Sequence, residues 1–458
     1  MIGRALYSQV LYPAYHAARR DGVLGANRRA AASQWWDAEE LAEHQHARLA
    51  RLLRFAASHV PFYRDAIRSL GASPDELAAS GGWRALPVQT KDLIRREGSR
   101  LRAEPEGGRR AFANSTSGST GEPLRFLTDA VSHSLRRADE LRGKTWTGYR
   151  LGDREIALWQ SPLDLGRAKK LRGRLHALVT RYSVLSSFDL TPARMDAYLA
   201  QIRRLRPRLL LAYPSALEVF ARHCAERGER DVLIGAAIVT SAESLWDYQR
   251  ALFADTFGVP VFNRYGCREV GPIAHECEAH RHLHVSADRL LLEIVDADGA
   301  PCPPGQWGEL LITDLENLAM PFIRYQIGDR AAWAPSETCA CGRGLPMLLG
   351  VEGRSMDVIR SPAGGVVGGT FWTVLLRSRP GLRQFQVVQE ADGAITVRYV
   401  PDESFTPGVL DYFTTRVRET LGDSMAVRYD RVEKIRLSAS GKLRLVESRY
   451  RQRATVKE

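Results

Sequence analysis

The chain has 458 residues, room for two or three domains of roughly 100 to 200 residues each, and its 44% hydrophobic and 26% charged content is that of a folded globular protein. No run nears the roughly 18 uninterrupted apolar residues of a membrane span, and six cysteines in this length make no disulfide scaffold, so a cytoplasmic protein with reduced thiols is expected. The formal charge is +12, half of it in Arg431 to Glu458, where nine Lys or Arg face three Glu; no nucleic-acid motif accompanies this tail, which suits a solvated face or a groove for an anionic substrate.

From Trp35 to Arg64, the spacing of Leu41, Leu49, Leu52, Leu53 and Ala56 predicts an amphipathic helix stopped by Pro61. A second helix follows over Ser73 to Ala79, and Thr90 is placed to cap a third. Arg110 to Thr128 reads as strand, Ser/Thr/Gly loop, strand. Apolar runs at Leu209 to Ala212, Ile234 to Val239 and Val259 to Phe262 then alternate with helical stretches at Leu217 to Arg227 and Leu245 to Phe253. That alternation predicts a mostly parallel sheet covered by helices. From Leu291 to Pro335 short strands and turns predict an antiparallel subdomain. Beyond Arg354 the strands at Phe385 to Glu390 and Ala394 to Val400 and the helix Gly408 to Leu421 form a set of their own. The expected class is therefore α/β, with a large N-terminal domain over 1–353 and a small α+β domain over 354–458.

Five short motifs carry chemistry. In Asn114 to Pro123, Gly118 and Gly121 let the backbone bend closely around an anion, and Ser115, Thr116, Ser117, Ser119 and Thr120 supply hydroxyl donors. The Lys-Ser/Thr of a Walker loop is missing. Tyr265-Gly-Cys-Arg-Glu269 follows an apolar strand and offers an aromatic ring for a base and a carboxylate for Mg²⁺. Arg324-Tyr-Gln-Ile-Gly-Asp329 reads as a strand end, a Gly and an Asp able to accept from a ribose diol. Gly353-Arg-Ser-Met-Asp357 and Ser440-Gly-Lys442 add two cations. Taken singly, each reads as well as a surface turn or a solvated charge.

In this order the five motifs resemble those of the adenylate-forming superfamily of acyl-CoA synthetases, and within it the phenylacetate-CoA ligase branch with its capsular-polysaccharide-associated relatives. Ala56 to Tyr63, Leu86 to Lys91, Tyr213 to Leu217 and Thr240 to Ser244 add to the likeness, which runs from about residue 35 to about 445. The resemblance implies a fold with a mobile C-terminal lid and a two-step reaction. A carboxylate attacks ATP to give acyl-AMP and pyrophosphate, and the acyl group then passes to CoA or to an amine or hydroxyl. It also implies roles. Ser117, Gly118, Ser119, Thr120 and Gly121 would hold phosphates, Tyr265 would lie against adenine and Glu269 would ligate Mg²⁺. Asp329 would bind the ribose, Arg354 would bridge ribose and phosphate, and Lys442 would reach the α-phosphate and the attacking carboxylate. Arg268 stands where many members have Thr and would add a phosphate contact; Met356 precedes Asp357 where acidic pairs are frequent. A non-catalytic, zinc-stabilised anion-binding protein is the alternative from another class, and the joint presence of Glu269, Asp329, Arg354 and Lys442 speaks against it.

A separate constellation comprises Cys277, His280, His282, His284, Cys339 and Cys341. Cys277-x6-His284 with Cys339-x-Cys341 supplies three thiolates and an imidazole, the donors of a closed tetrahedral zinc site. Some relatives carry a structural zinc with similar spacing, a likeness that favours His284, then His280, and leaves His275 as a core or cleft histidine.

Overall fold

The computed structural model describes residues 4–104, 110–115, 124–159, 181–187, 190, 192–335, 338–352, 359–360, 366–367, 372, 375, 381–435 and 446–450. The chain divides into two compact units, one of Met1–Ile327 with Ala331–Val351 and one of Gly328–Arg330 with Glu352–Glu458.

The larger unit opens with helices α1 (Tyr12–Arg19), α2 (Val23–Ser33) and α3 (Ala38–His59). At the start of α3 the Asp37 carboxylate accepts from the Glu40 N–H while the Glu40 side chain accepts from the Asp37 N–H, so two otherwise orphaned donors are satisfied. Val60 is extended because Pro61 follows, and Pro61 then opens α4 (Pro61–Ser69), where a missing N–H costs nothing. The single helical pattern over Trp35 to Arg64 is thus two helices. Two short helices follow, α5 (Pro74–Ser80) and α6 (Lys91–Glu97), the latter capped by Thr90, whose Oγ1 accepts from the Leu93 N–H at 3.0 Å. Leu41, Leu49, Leu52, Leu53 and Ala56 are buried, in one core with Tyr63, Trp83, Leu290 and Phe322.

Strands β1 (Ala111–Ser115) and β2 (Arg125–Asp129) form an antiparallel pair with Ser115 opposite Arg125, and Asp129 caps α7 (Ala130–Trp146). The main sheet begins with β3 (Glu155–Leu158) and β4 (Tyr182–Leu185). Helix α8 (Pro192–Leu205) leads to β5 (Leu209–Ala212), α9 (Pro214–Glu226) to β6 (Ala237–Ser241) and α10 (Asp247–Phe257) to β7 (Val261–Cys267). These five strands pair in parallel in the order β4-β3-β5-β6-β7. Their pleat divides the apolar side chains. Ile156, Leu158, Leu210, Ala212 and Ile238 pack with residues of α8, α9 and α10, while Ala157, Leu209, Leu211, Ala237, Val239 and Phe262 pack with Leu141 of α7.

The remaining strands are β8 (Gly271–Glu276), β9 (Leu283–Val285), β10 (Leu290–Val295), β11 (Gly308–Asp314), β12 (Tyr325–Trp333) and β13 (Met347–Glu352). They form the antiparallel part that the sequence predicts, and it shares one sheet with the parallel strands. β7 is parallel to β6 on one edge and antiparallel to β8 on the other, so one sheet of 11 strands continues as β8-β9-β13-β12-β11-β10. Edge strand β10 is flanked by α3: Gln45 donates to the Leu290 and Ala287 carbonyls at 3.1 and 2.8 Å, and His44 Nε2 lies 2.9 Å from the Asp288 carbonyl.

In the smaller unit β14 (Ile359–Arg360) pairs with β15 (Val366–Val367). A second sheet joins β16 (Leu382–Gln389), β17 (Ile395–Pro401), β18 (Val427–Arg431) and β19 (Val446–Ser448) in the order β18-β17-β16-β19. Helix α11 (Gly408–Leu421) packs Phe413, Val417 and Leu421 into one core with Phe385, Val387, Ile395 and Val397. Among the described residues no helix is long and apolar enough to cross a membrane.

Candidate active site and metal centre

The last residues of β7 and the turn into β8 carry Tyr265, Arg268 and Glu269. Tyr265 is half-buried and packs on the main apolar core. Arg268 Nη1 lies 3.4 Å from the Ser115 carbonyl oxygen, so the turn meets the end of β1, where the hydroxyl-rich segment begins. Glu269 is buried, and its Oε1 accepts from the Tyr325 hydroxyl at 2.8 Å. The Cys267 thiol beside it is pushed well above the ordinary thiol range, by burial first and by the Glu269 charge second.

Two buried arginines hold this turn. Arg289, 1% exposed, donates to the Val270 carbonyl at 2.8 Å, to the Pro272 carbonyl at 2.5 Å and to Asp139 at 2.7 Å. Arg136 pairs with Asp314 at 2.9 Å and reaches the Arg268 carbonyl at 3.4 Å. Arg142 binds both Asp139 and Asp288, at 2.9 and 3.0 Å. The charges close on one another, the condition under which ions survive burial. Space is tight as well: Gly271 has φ +79°, and a Cβ there would sit 3.0 Å from the Arg136 side chain.

Asp329 is not at a strand end. It lies within β12, after Gly328 at φ +86°, a left-handed kink that Gly takes without strain, and both belong to the smaller unit. Arg330 there pairs with Glu352 at 3.3 Å. Ser117, Gly118, Ser119, Thr120, Gly121, Arg354 and Lys442 lie outside the described residues.

Cys277, His284, Cys339 and Cys341 converge, with their ligand atoms all within 4.8 Å of one another. Cys277 Sγ is 3.6 Å from Cys339 Sγ, and Cys341 Sγ is 3.3 Å from His284 Nε2. These are close to the edges of about 3.4 to 3.8 Å that follow from tetrahedral Zn–S and Zn–N bonds of about 2.3 and 2.0 Å. His284 Nδ1 lies 3.1 Å from the Leu345 carbonyl, so it carries the proton and leaves Nε2 as the free donor atom. His280 is turned elsewhere, packed against Phe262 and 3.7 Å from Glu276. Burial pushes the Cys277 thiol up to about 12. At Cys341 burial also raises, but hydrogen bonds from Arg343 outweigh it and the thiol is lowered. Arg343 sits over the rings of Trp35 and Trp146 and donates to Gln34. The Cys339–Leu345 segment is thereby anchored to the end of α2 and to α7.

The sequence motifs missed Tyr325 as the partner of Glu269, although it stands inside one of them. They also missed Arg136, Asp139 and Arg142, whose one signal was the density of charge along α7, and Asp288 and Arg289, which carry no signal in the sequence.

The CapK C-terminal domain family matches residues 359–449. Over 422 residues the chain is 26% identical to phenylacetate-coenzyme A ligase of Thermus thermophilus, covering 89% of this chain and 90% of that protein. Over 412 residues it is 20% identical to protein CapK of Staphylococcus aureus, covering 89% of each. The fold matches the crystal structure of 2-hydroxyisobutyryl-CoA ligase in the postadenylation state with 2-HIB-AMP at a TM-score of 0.73, with 21% identity over 92% of this chain and 91% of that one. Likeness along most of the length, the C-terminal domain match and the shared fold agree: the chain resembles the phenylacetate-coenzyme A ligases and CapK, carries a CapK C-terminal domain over residues 359–449 and has the fold of 2-hydroxyisobutyryl-CoA ligase.

Proposed function

We propose that the protein is an ATP-dependent, AMP-forming carboxylate ligase that activates a carboxylic acid as its acyl-adenylate and passes the acyl group to coenzyme A. The observation that carries this reading is the contact of Arg268 with the Ser115 carbonyl. It brings the turn bearing Glu269 to the start of the hydroxyl-rich loop, 153 positions apart in sequence.

In the first step a carboxylate oxygen bonds to the α-phosphorus of ATP, and the bond to the β-phosphate oxygen breaks with its electron pair leaving on pyrophosphate. In the second step the thiolate of coenzyme A attacks the acyl carbon and AMP departs. Both steps move negative charge, so the protein acts mainly by positioning and by electrostatic stabilisation. Ser117, Ser119 and Thr120 hold the phosphates, and Gly118 and Gly121 let the backbone come close. Tyr265 lies against adenine, Arg268 adds a cation near the phosphates and Asp329 accepts from the ribose hydroxyls. Arg354 and Lys442, from the C-terminal domain of residues 354–458, bring positive charge to the reacting atoms. Glu269 presents a hard carboxylate oxygen, fixed by Tyr325, that suits Mg²⁺, which when bound neutralises phosphate charge.

Cys277, His284, Cys339 and Cys341 suit Zn²⁺ in a closed structural site that ties the strand after the Glu269 turn to the 339–345 segment. A closed site has no open position for a substrate, so its contribution is to folding.

The test is pyrophosphate release from the purified protein with ATP, Mg²⁺ and a panel of aryl, fatty, hydroxy and amino acids, followed by mass spectrometry of products with coenzyme A. Acid-dependent release and a thioester support the reading. Release with an amide or ester but no thioester keeps adenylation and removes coenzyme A, and no release with any acid rejects the ligase.

A further inference from the structure

The parallel strands end in a row of side chains to which the five motifs assign no role. Leu158 of β3, Ala212 of β5 and Thr240 of β6 are in register, so the residues that follow, Trp159, Tyr213 and Ser241, stand side by side, and Ser241 is opposite Arg264 of β7. Trp159 and Tyr213 stack with centroids 4.0 Å apart and planes at 22°. Open α/β sheets take ligands at the carboxyl ends of their strands, and here the next residues of β7 and its turn are Tyr265 and Glu269. The pleat sends Arg264 to the face covered by α7 and Tyr265 to the opposite face. Nucleotide-side and acid-side residues are thus neighbours in sequence on opposite faces of the strand.

On the α7 face a charged cluster adjoins these strands. Glu140 of α7 lies 3.5 Å from Arg264 and 3.1 Å from Lys144, and Lys144 also binds Glu155 at 2.9 Å. The Arg264 Nε donates to Ser241 Oγ at 3.3 Å. Exposure separates these groups. Glu155, Arg264 and Lys144 have side chains 5%, 13% and 15% exposed, whereas Glu140 is 39% exposed. Lys144 first, and Arg264 after it, outweigh burial and hold the Glu140 carboxyl at about 2, so it is ionised under all working conditions. The polar group that reaches open space therefore only accepts hydrogen bonds.

Resting on the ligase reading above, we infer that the acyl chain of the substrate lies at these strand ends, that the protein selects carboxylic acids bearing a hydrogen-bond donor, a hydroxyl or an ammonium, on that chain, and that the Glu140–Arg264 pair is the selecting element. An unsubstituted alkyl or aryl chain would strip water from Glu140 and return nothing, while a donor replaces that water. Once a bound acyl chain covers it, such a hydrogen-bonding group discriminates against analogues that lack the matching group far more strongly than an apolar pocket discriminates by shape.

The experiment uses the full-length protein and matched acids: phenylacetate with 4-hydroxyphenylacetate, and butyrate with 4-hydroxybutyrate and 4-aminobutyrate. The readout is the ratio of kcat/KM for pyrophosphate release within each set. The donor-bearing member is expected to be preferred at least about tenfold, and the hydroxyl and ammonium arms show which donor is taken. In a Glu140→Leu, Arg264→Leu double variant, which leaves neither charge buried alone, the ratio falls towards one. Because it is a ratio, a general loss of activity does not mimic this. Glu140→Gln, which keeps the shape of the pair, serves where the double variant is insoluble, and its ammonium-arm ratio falls more than its hydroxyl-arm ratio. Preference for the unsubstituted members, or ratios unchanged in the variants, overturns the inference and leaves the ligase standing. Release with none of the acids makes both fall.

Discussion

The Tyr325 hydroxyl donates to Glu269 Oε1 at 2.8 Å, joining a fully buried ring of β12 to the turn after β7. Tyr325→Phe removes only that donor and leaves a buried carboxylate oxygen short of a partner, at a cost of about 1 to 3 kcal/mol. The urea midpoint should fall accordingly. Calorimetric titration with Mg²⁺ and a non-hydrolysable ATP analogue should show binding weakened by about tenfold, the size of such a loss. In a Glu269→Gln background the same change should have little further effect on binding, since the hydroxyl acts through Glu269.

Metal analysis should find about one zinc per chain, as a four-donor site binds one ion. Cys339→Ser or Cys341→Ser should lower both zinc content and melting temperature, and a strong chelator should lower the melting temperature of the wild type but not of the variants. A metal-free protein of equal stability would return the cysteines to ordinary core residues.

Gly344→Ala tests the anchoring of the same segment. A Cβ at this position would collide with the Trp36 carbonyl oxygen, and backbone cannot give way as a side-chain tip does. Overpacking of this kind costs about 1 to 3 kcal/mol. The variant should melt earlier and bind zinc less tightly, although none of the four ligands is touched.

The Glu140 carboxyl makes a distinct prediction for pH. Its folded pKa lies below its unfolded value, so it contributes stability that is fully present above about 4.5 and is lost as pH falls towards about 2. The stability difference between wild type and Glu140→Gln, read from urea unfolding at a series of pH values, should be largest above that window and vanish at its lower end.

Motif order made the likeness to the phenylacetate-coenzyme A ligases and CapK legible, because loops that approach phosphates need Gly and hydroxyls in fixed succession. Tertiary partners left no such trace. Arg136, Asp139 and Arg142 look like the wet side of a helix, yet all three are at most 8% exposed, because Asp288, Arg289 and Asp314 from distant strands and turns neutralise them. Asp329 was read as following a strand because Gly328 looked like a terminator. A glycine at φ +86° can instead kink a strand that continues to Trp333. The antiparallel strands are legible in the sequence, but the edge that β7 shares with β8 is not, since pairing across strands leaves no local pattern.

Strand β10, Leu290 to Val295, is almost wholly aliphatic and lies at the edge of the main sheet; beyond β11 its far end is covered by its own chain, with Val295 bridged to Pro301 and the Ile294 carbonyl accepting from the Cys302 N–H at 2.8 Å. Left open, such an edge is a template for another chain, since its free carbonyls and amides pair with any extended apolar segment. Gln45 takes the Leu290 carbonyl, and α3 lies alongside. The N-terminal helices, which carry none of the proposed catalytic groups, therefore act as a shield against self-association. A Gln45→Ala variant, which keeps the apolar face of α3 in the core, should self-associate more readily than the wild type, as read by light scattering on heating.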